Sequence, residues 1–133
     1  MKLSGRVLHL VDDASLVSAQ LGGLDLPTHP PVPYSYGVNT DLMISGKACT
    51  YGYTGEILGP YFLENFLEVV PKDGVRNGGF QVVVGGHAYG SGSSREVAVV
   101  AHSGAGIELV VADSFQRIFQ ENMVYSGDRK SVV

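Results

Sequence analysis

The sequence predicts an α/β domain, and three observations predict it. Two continuous β-branched runs, FQVVVGG at 80–86 and IELVVA at 107–112, read as buried strands. An apolar stretch, VAVVAHS at 97–103, lies between them and reads as a helix. Strand, helix and strand in that order form a βαβ unit, whose strands run parallel with a right-handed crossover.

The elements follow in chain order. Gly5 to Val11, GRVLHLV, reads as a short strand of alternating and then continuous apolar residues. Residues 12–37 are weakly patterned, and the four prolines of DLPTHPPVPY forbid a helix or a central strand there. They predict an irregular, proline-rich insertion with a short helix at 14–20. VNTDLMIS (38–45) reads as a strand or a strand and loop, and GKACTYGYTGE (46–56) as a glycine-rich loop of the kind that often carries function. Leu58 to Val70 predicts a helix. Pro60 suits its first turn, Phe62, Leu63, Phe66, Leu67 and Val70 recur at helical spacing, and Pro71 stops it. KDGVRNGG is turn material before the strand at 80–86. Ser93 and Glu96 form a capping-box pattern for a helix over 94–103, which Gly104 and Gly106 end. After the strand at 107–112, Asp113 and Gln116 can cap a further helix with Phe115, Ile118, Phe119 and Met123 on one face.

With 133 residues and neither a repeat nor a linker, the chain reads as one domain, 1–133. Hydrophobic residues make up 44% and charged residues 17%, which is a globular composition. The net charge of −4 and the absence of a basic run argue against a nucleic-acid or membrane-surface partner. No apolar stretch approaches the ~20 residues of a membrane span. The acidic pair in MKLSGRVLHLVDD interrupts what a signal peptide keeps apolar, so a cytoplasmic location is expected. A single cysteine, Cys49, rules out an intramolecular disulfide and a metal site built from this chain's thiolates.

The stretch GSGSSREVAVV from Gly90 admits three readings. It can be a helix cap and nothing more, with Ser93 and Glu96 as a capping box. It can be a nucleotide cradle, since Gly90 and Gly92 lie between a strand and a helix and Asp113 ends the next strand. That reading fails in detail. Arg95 occupies the third glycine position, the first glycine comes late, and the Lys-Ser/Thr pair of a P-loop is missing. It can also be a carboxylate site. A helix N-terminus attracts anions, Arg95 adds a planar fork, Gly90 and Gly92 admit a ligand to the backbone, and a serine hydroxyl in that field ionises more easily.

A second motif adds specificity. YGSGSSRE at 89–96 is followed by GAGIELVVADSFQRIFQENMVYSG, with Ser114, Phe115, Arg117, Ile118, Phe119, Asn122 and Gly127 at their positions. Together with Thr40 and Asp41 in VNTDLMIS and the GRVLHL start, these motifs resemble the swivelling domain of the aconitase superfamily. The small subunits of isopropylmalate dehydratase and homoaconitase are the relatives implied. The resemblance covers most of the chain outside 12–37. It implies a three-layer ββα domain that closes over a large partner subunit, as a heterodimer or heterotetramer. That subunit would carry a [4Fe–4S] cluster on three cysteines, and this chain would bind no cofactor. The implied reaction is a hydro-lyase step that moves a hydroxyl between adjacent carbons of a hydroxy di- or tricarboxylate, as in leucine biosynthesis. By family role Ser93 is the base, Arg95 and Ser94 hold a substrate carboxylate beside Gly92, and the loop after the T-D segment contacts the substrate side chain through Tyr51 and Tyr53. Thr40, Asp41 and His87 are supporting candidates.

The chain departs from the family pattern in four places. Val97 stands where histidine or tyrosine is usual, and Ala88, beside His87, where an asparagine-like residue is usual. Residues 27–33 are unusually rich in proline, and DRKSVV follows Gly127 where the family has a further layer. Two rival readings stay open. One is a free-standing, cluster-independent enzyme using Ser93 and His87. The other is a non-catalytic, anion-binding regulatory subunit.

Overall fold

A computed structural model describes residues 5–90, 96–115 and 131–132. Among the described residues there are four strands, β1 (Arg6–His9), β2 (Phe80–Gly85), β3 (Leu109–Ala112) and β4 (Ser131–Val132). They lie side by side in the order β1-β2-β3-β4, and every neighbouring pair is parallel. The α/β class and the parallel pairing of the two β-branched runs are as the sequence predicts. β4 was not foreseen: part of the DRKSVV tail adds an edge strand, with Leu109 opposite Ser131.

Register explains the core. Leu8, Val83 and Val110 stand opposite one another and are all essentially inaccessible, so this row faces the interior. His9, Val84 and Val111 form the next row, on the opposite face. That face borders a cavity of about 600 Å³ lined by Val7, His9, Tyr34, Val84 and Val111 among others.

The edge of β1 is occupied by a side chain. Helix α1 (Ala14–Leu21) is capped by Asp13, whose carboxylate accepts from Ser15 N at 2.9 Å and Leu16 N at 3.2 Å. A hydrogen bond from the Ser15 hydroxyl, followed by these backbone bonds, holds the Asp13 carboxyl below the usual range. From α1 the buried Gln20 amide accepts from His9 N and donates to His9 O, both at 2.8 Å. It replaces a neighbouring strand where an edge would otherwise present unpaired backbone. Arg6 ties the same corner together. Its guanidinium meets Asp25 at 2.8 Å, donates to the carbonyls of Gly78, Gln20 and Leu24, and lies 4.4 Å from the centre of the Phe80 ring.

Two expected elements are different in the structure. Residues 38–45 are not a strand but hold a short helix, α2 (Thr40–Met43), because Asn39 caps it by accepting from Leu42 N at 2.9 Å. Residues 58–70 are not one helix. A short α3 (Gly55–Leu58) runs into a 3-10 turn (Gly59–Tyr61), and a second 3-10 turn (Phe66–Glu68) follows. Leu63, Asn65, Leu67 and Glu68 all take positive φ. The apolar spacing is satisfied by burial, since Phe62, Leu63, Phe66 and Val70 are all in the core. The donors go elsewhere: Leu63 N bonds Met43 O, and Asn65 N bonds Val70 O. The loop at 46–56 contains a 3-10 turn (Ala48–Thr50) and then the start of α3.

A further short helix, α4 (Gly74–Asn77), precedes β2, and α5 (Glu96–Gly104) joins β2 to β3. The end of α5 meets α3 at bare backbone. A Cβ on Gly104 would lie 2.0 Å from the Gly55 carbonyl oxygen, so Gly104 is a packing residue as well as the last residue of the helix. Of the helix expected after Asp113, Gln116, Ile118, Phe119 and Met123 lie outside the described residues, as do Ser94 and Arg95 of the helix expected over 94–103, while Phe115 pairs with Tyr89 in an isolated parallel bridge.

Candidate functional site

In open parallel sheets, ligands bind beyond the carboxyl ends of the strands. Here β2 ends in GGHAYG and β3 in ADSF, and these two segments are bonded to each other. The Ser114 hydroxyl accepts from Ala88 N at 2.8 Å, and Ser114 O accepts from Tyr89 N at 3.0 Å. The first bond holds Ala88 at φ 58°, a left-handed conformation that costs a side-chain-bearing residue energy.

A third segment crosses the same end. Tyr34 to Gly37 pass so close to β2 that a Cβ on Gly86 would lie 2.9 Å from Ser35 O. Gly37 N donates to His87 O at 2.9 Å, and Gly90 N donates to Val38 O at 2.8 Å. The T-D segment is thereby stitched to the first residue of the serine-arginine loop. Thr40 is buried and Asp41 exposed in the first turn of α2.

The titratable groups at this end differ in environment. The His87 ring is 65% exposed and its Nε2 lies 3.9 Å from Asp113 Oδ2, a loose, solvated pair. Tyr34 bonds His9 Nδ1 through its hydroxyl at 2.8 Å. Burial and then the Asp113 charge push the Tyr34 hydroxyl above its ordinary value, and burial pulls His9 below its own. Ser35 Oγ is buried without a hydrogen-bond partner.

Behind the loop is a pair that the sequence reading missed. Tyr89 and His102 are both fully buried, with Tyr89 Oη 2.6 Å from His102 Nε2. His102 Nδ1 lies 2.6 Å from Ala98 O. A carbonyl only accepts, so Nδ1 carries the hydrogen; in the neutral ring Nε2 then accepts from the Tyr89 hydroxyl. Burial raises the Tyr89 hydroxyl far above its ordinary range. Phe62 packs on the His102 ring at 4.3 Å between centroids, and Phe115 meets Tyr89 edge-on at 6.0 Å. The available signal was the spacing of Ala98 and His102, one turn apart within an apolar helix.

Of the expected site residues, Gly92, Ser93, Ser94 and Arg95 lie outside the described residues. Their flanks are described: the chain after β2, which ends at Gly85, is described to Gly90, and α5 begins at Glu96. Tyr51 and Tyr53 are exposed, at 46% and 77%. Tyr51 packs on Tyr61 at 5.1 Å, and Tyr53 stands just before α3. Among the described residues no group of three or more His, Cys, Asp or Glu side chains could hold a metal ion, and the chain's one cysteine, Cys49, cannot supply three thiolates. No helix of the described residues is long and apolar enough to cross a membrane.

Comparison with known proteins agrees with this architecture. Residues 70–127 match the aconitase C-terminal domain family. The 3-isopropylmalate dehydratase small subunit of Pyrobaculum calidifontis is 38% identical over 96 residues, covering 72% of this chain and 56% of that protein. The second such small subunit of Methanopyrus kandleri is 41% identical over 90 residues, covering 68% of this chain and 51% of that one. An aconitase of Alternaria alternata is 40% identical over 85% of this chain but only 13% of its own length. The crystal structure of 3-isopropylmalate dehydratase from Methanocaldococcus jannaschii superposes with a TM-score of 0.57 at 28% identity, over 90% of this chain and 55% of that one. The chain thus spans little more than half the length of its small-subunit relatives. With both motifs in order in the sequence, the chain is similar to the aconitase C-terminal domain family over residues 70–127 and to 3-isopropylmalate dehydratase small subunits.

Proposed function

We propose that this chain is the small-subunit part of a hydro-lyase that dehydrates and rehydrates an isopropylmalate-like hydroxy di- or tricarboxylate. One observation carries the reading: the sequence GSGSSRE lies between β2 and α5 in a chain similar to 3-isopropylmalate dehydratase small subunits. At that point backbone N–H groups and the helix dipole favour a substrate carboxylate. Arg95 would pair with the carboxylate through two parallel hydrogen bonds, with Ser94 and the backbone at Gly92 beside it. Ser93 would act as the base, its alkoxide stabilised by the same donors, and remove the proton from the carbon next to the carboxylate. Thr40 and Asp41 would support the loop from the T-D segment. Tyr51 and Tyr53 would contact the substrate side chain, and His87 would sit at the rim.

This chain's residues do not fit a [4Fe–4S] cluster, so the cluster would belong to a large partner subunit. When present it would supply a Lewis acid for the leaving hydroxyl. The test is anaerobic mixing with a cluster-loaded large subunit, following 3-isopropylmalate dehydration by ultraviolet absorbance. Activity in the mixture and in neither subunit alone supports the reading. Activity of this chain alone without iron would instead support a free-standing enzyme built on Ser93 and His87. Stable complex formation with no turnover on any such substrate would support a regulatory subunit.

A further inference from the structure

The serine-arginine loop leaves the sheet at Tyr89 and enters α5 at Glu96, and the two residues that bond across its base are Tyr89 and His102. We propose that this buried pair is a positioning device. It ties together the two flanks of the GSGSSRE segment and so fixes where the chain leaves Gly90 relative to its entry into α5 at Glu96. The inference rests on the reading that this loop is the site.

Four observations support it. The hydrogen bond spans thirteen residues, from the segment that follows β2 to the second turn of α5, and thus brackets the whole GSGSSRE sequence. Both side chains are fully buried, so water does not compete for the bond. With His102 Nδ1 donating to Ala98 O within its own helix, Nε2 of the neutral ring accepts from the Tyr89 hydroxyl. Finally, the rings are wedged from both sides, Phe62 against His102 and Phe115 against Tyr89, while the Tyr89 backbone N is held by Ser114 O. A buried polar pair in an apolar core is costlier than two apolar side chains of the same shape unless it is fully satisfied. Its use here is to fix one geometry: the hydroxyl must lie where Nε2 points, which locates Tyr89, and with it Gly90, against a defined turn of α5. Neither residue touches the reacting atoms in this account; both act through the loop.

The test uses Tyr89→Phe and the double variant Tyr89→Phe/His102→Leu. Tyr89→Phe keeps the ring and removes the hydroxyl that bonds Nε2, whereas the double variant removes both members of the bond. Three readouts are taken: thermal midpoint of the chain, amide hydrogen exchange across 90–96, and kcat and KM in the reconstituted mixture. Tyr89→Phe is expected to lower the midpoint, to speed exchange of the loop amides severalfold, and to lower kcat about tenfold with KM within about twofold. The double variant is expected to recover part of the thermal midpoint, because the two groups that bonded each other are removed together, while loop exchange stays fast and kcat stays low. Recovery of exchange and kcat together with stability would make the pair ordinary core packing and overturn the proposal. So would loop exchange and kcat at wild-type levels in Tyr89→Phe. Should the wild-type mixture be inactive, the hydro-lyase reading fails on that control, and the exchange measurement on the chain alone still decides whether the pair holds the loop.

Discussion

Replacing Gly104 by alanine pits two effects of opposite sign against each other. Alanine is the better helix former, by about 1 kcal/mol, and Gly104 is the last residue of α5, so propensity alone predicts a small gain in stability. The packing predicts a loss. The new methyl would stand 2.0 Å from Gly55 O and 2.6 Å from Gly55 C, both rigid backbone atoms. An ordinary contact needs more than ~3.4 Å, so α3 and α5 would have to part by more than ~1 Å along that line. Gly59 removes the obvious escape, because it too meets Gly104 at backbone distance: its own added Cβ would lie 2.3 Å from Gly104 O. Overpacking of this kind costs about 1–3 kcal/mol, and more where backbone must move, so the net expectation for Gly104→Ala is a loss of about 2 kcal/mol. For a chain of this size that is a fall of roughly 6–10 °C in thermal midpoint. Urea unfolding should show a lower midpoint concentration with an unchanged slope. A Gly104→Ala protein as stable as wild type, or more so, would refute the close approach of α3 and α5.

Other substitutions probe other joints. Arg6→Lys keeps the charge but cannot reproduce contacts to Asp25, Gly78, Gln20 and Leu24 together; it should cost about 1–3 kcal/mol in chemical denaturation, and an unchanged midpoint would contradict the corner described. Ser35→Ala removes a buried hydroxyl with no partner, so it should be neutral or stabilising by up to about 1 kcal/mol, and a clear loss of stability would show that the hydroxyl is satisfied in solution. His9 is held below its ordinary 6.5 by burial, so the unfolded chain takes up its proton first as pH falls. Its contribution is therefore complete above 6.5 and lost as pH drops from there through the folded value. Wild type should lose stability across that window, and His9→Gln should lose measurably less.

The sheet was legible because its strands are written in a strong code. β2 and β3 are β-branched runs buried on the inner row, and a helix of the right length lies between them. The short helix expected at 14–20 is found at Ala14–Leu21, where Asp13 caps it. The region 58–70 was misread because burial and helicity share the same spacing. Phe62, Leu63, Phe66 and Val70 are buried as a helix face would be, yet Met43 O and Val70 O draw off the backbone donors, and neither partner is visible in a local window. The same holds for 38–45, where one Asn39 side chain turns an apparent strand into a helical turn. At the candidate site, glycines and serines announced the loop, but what stands behind it is non-local. The Tyr89–His102 bond and the Ser114 contact to Ala88 join residues that only the fold brings together.

The central claim is that the GSGSSRE loop performs the proton transfer of a split hydro-lyase. It is tested most directly by Ser93→Ala in the anaerobic mixture with a cluster-loaded large subunit and 3-isopropylmalate. The account predicts activity from the wild-type mixture alone, and from Ser93→Ala a fall in kcat of roughly a hundredfold or more with complex formation and KM little changed. Full turnover by the Ser93→Ala mixture would contradict it.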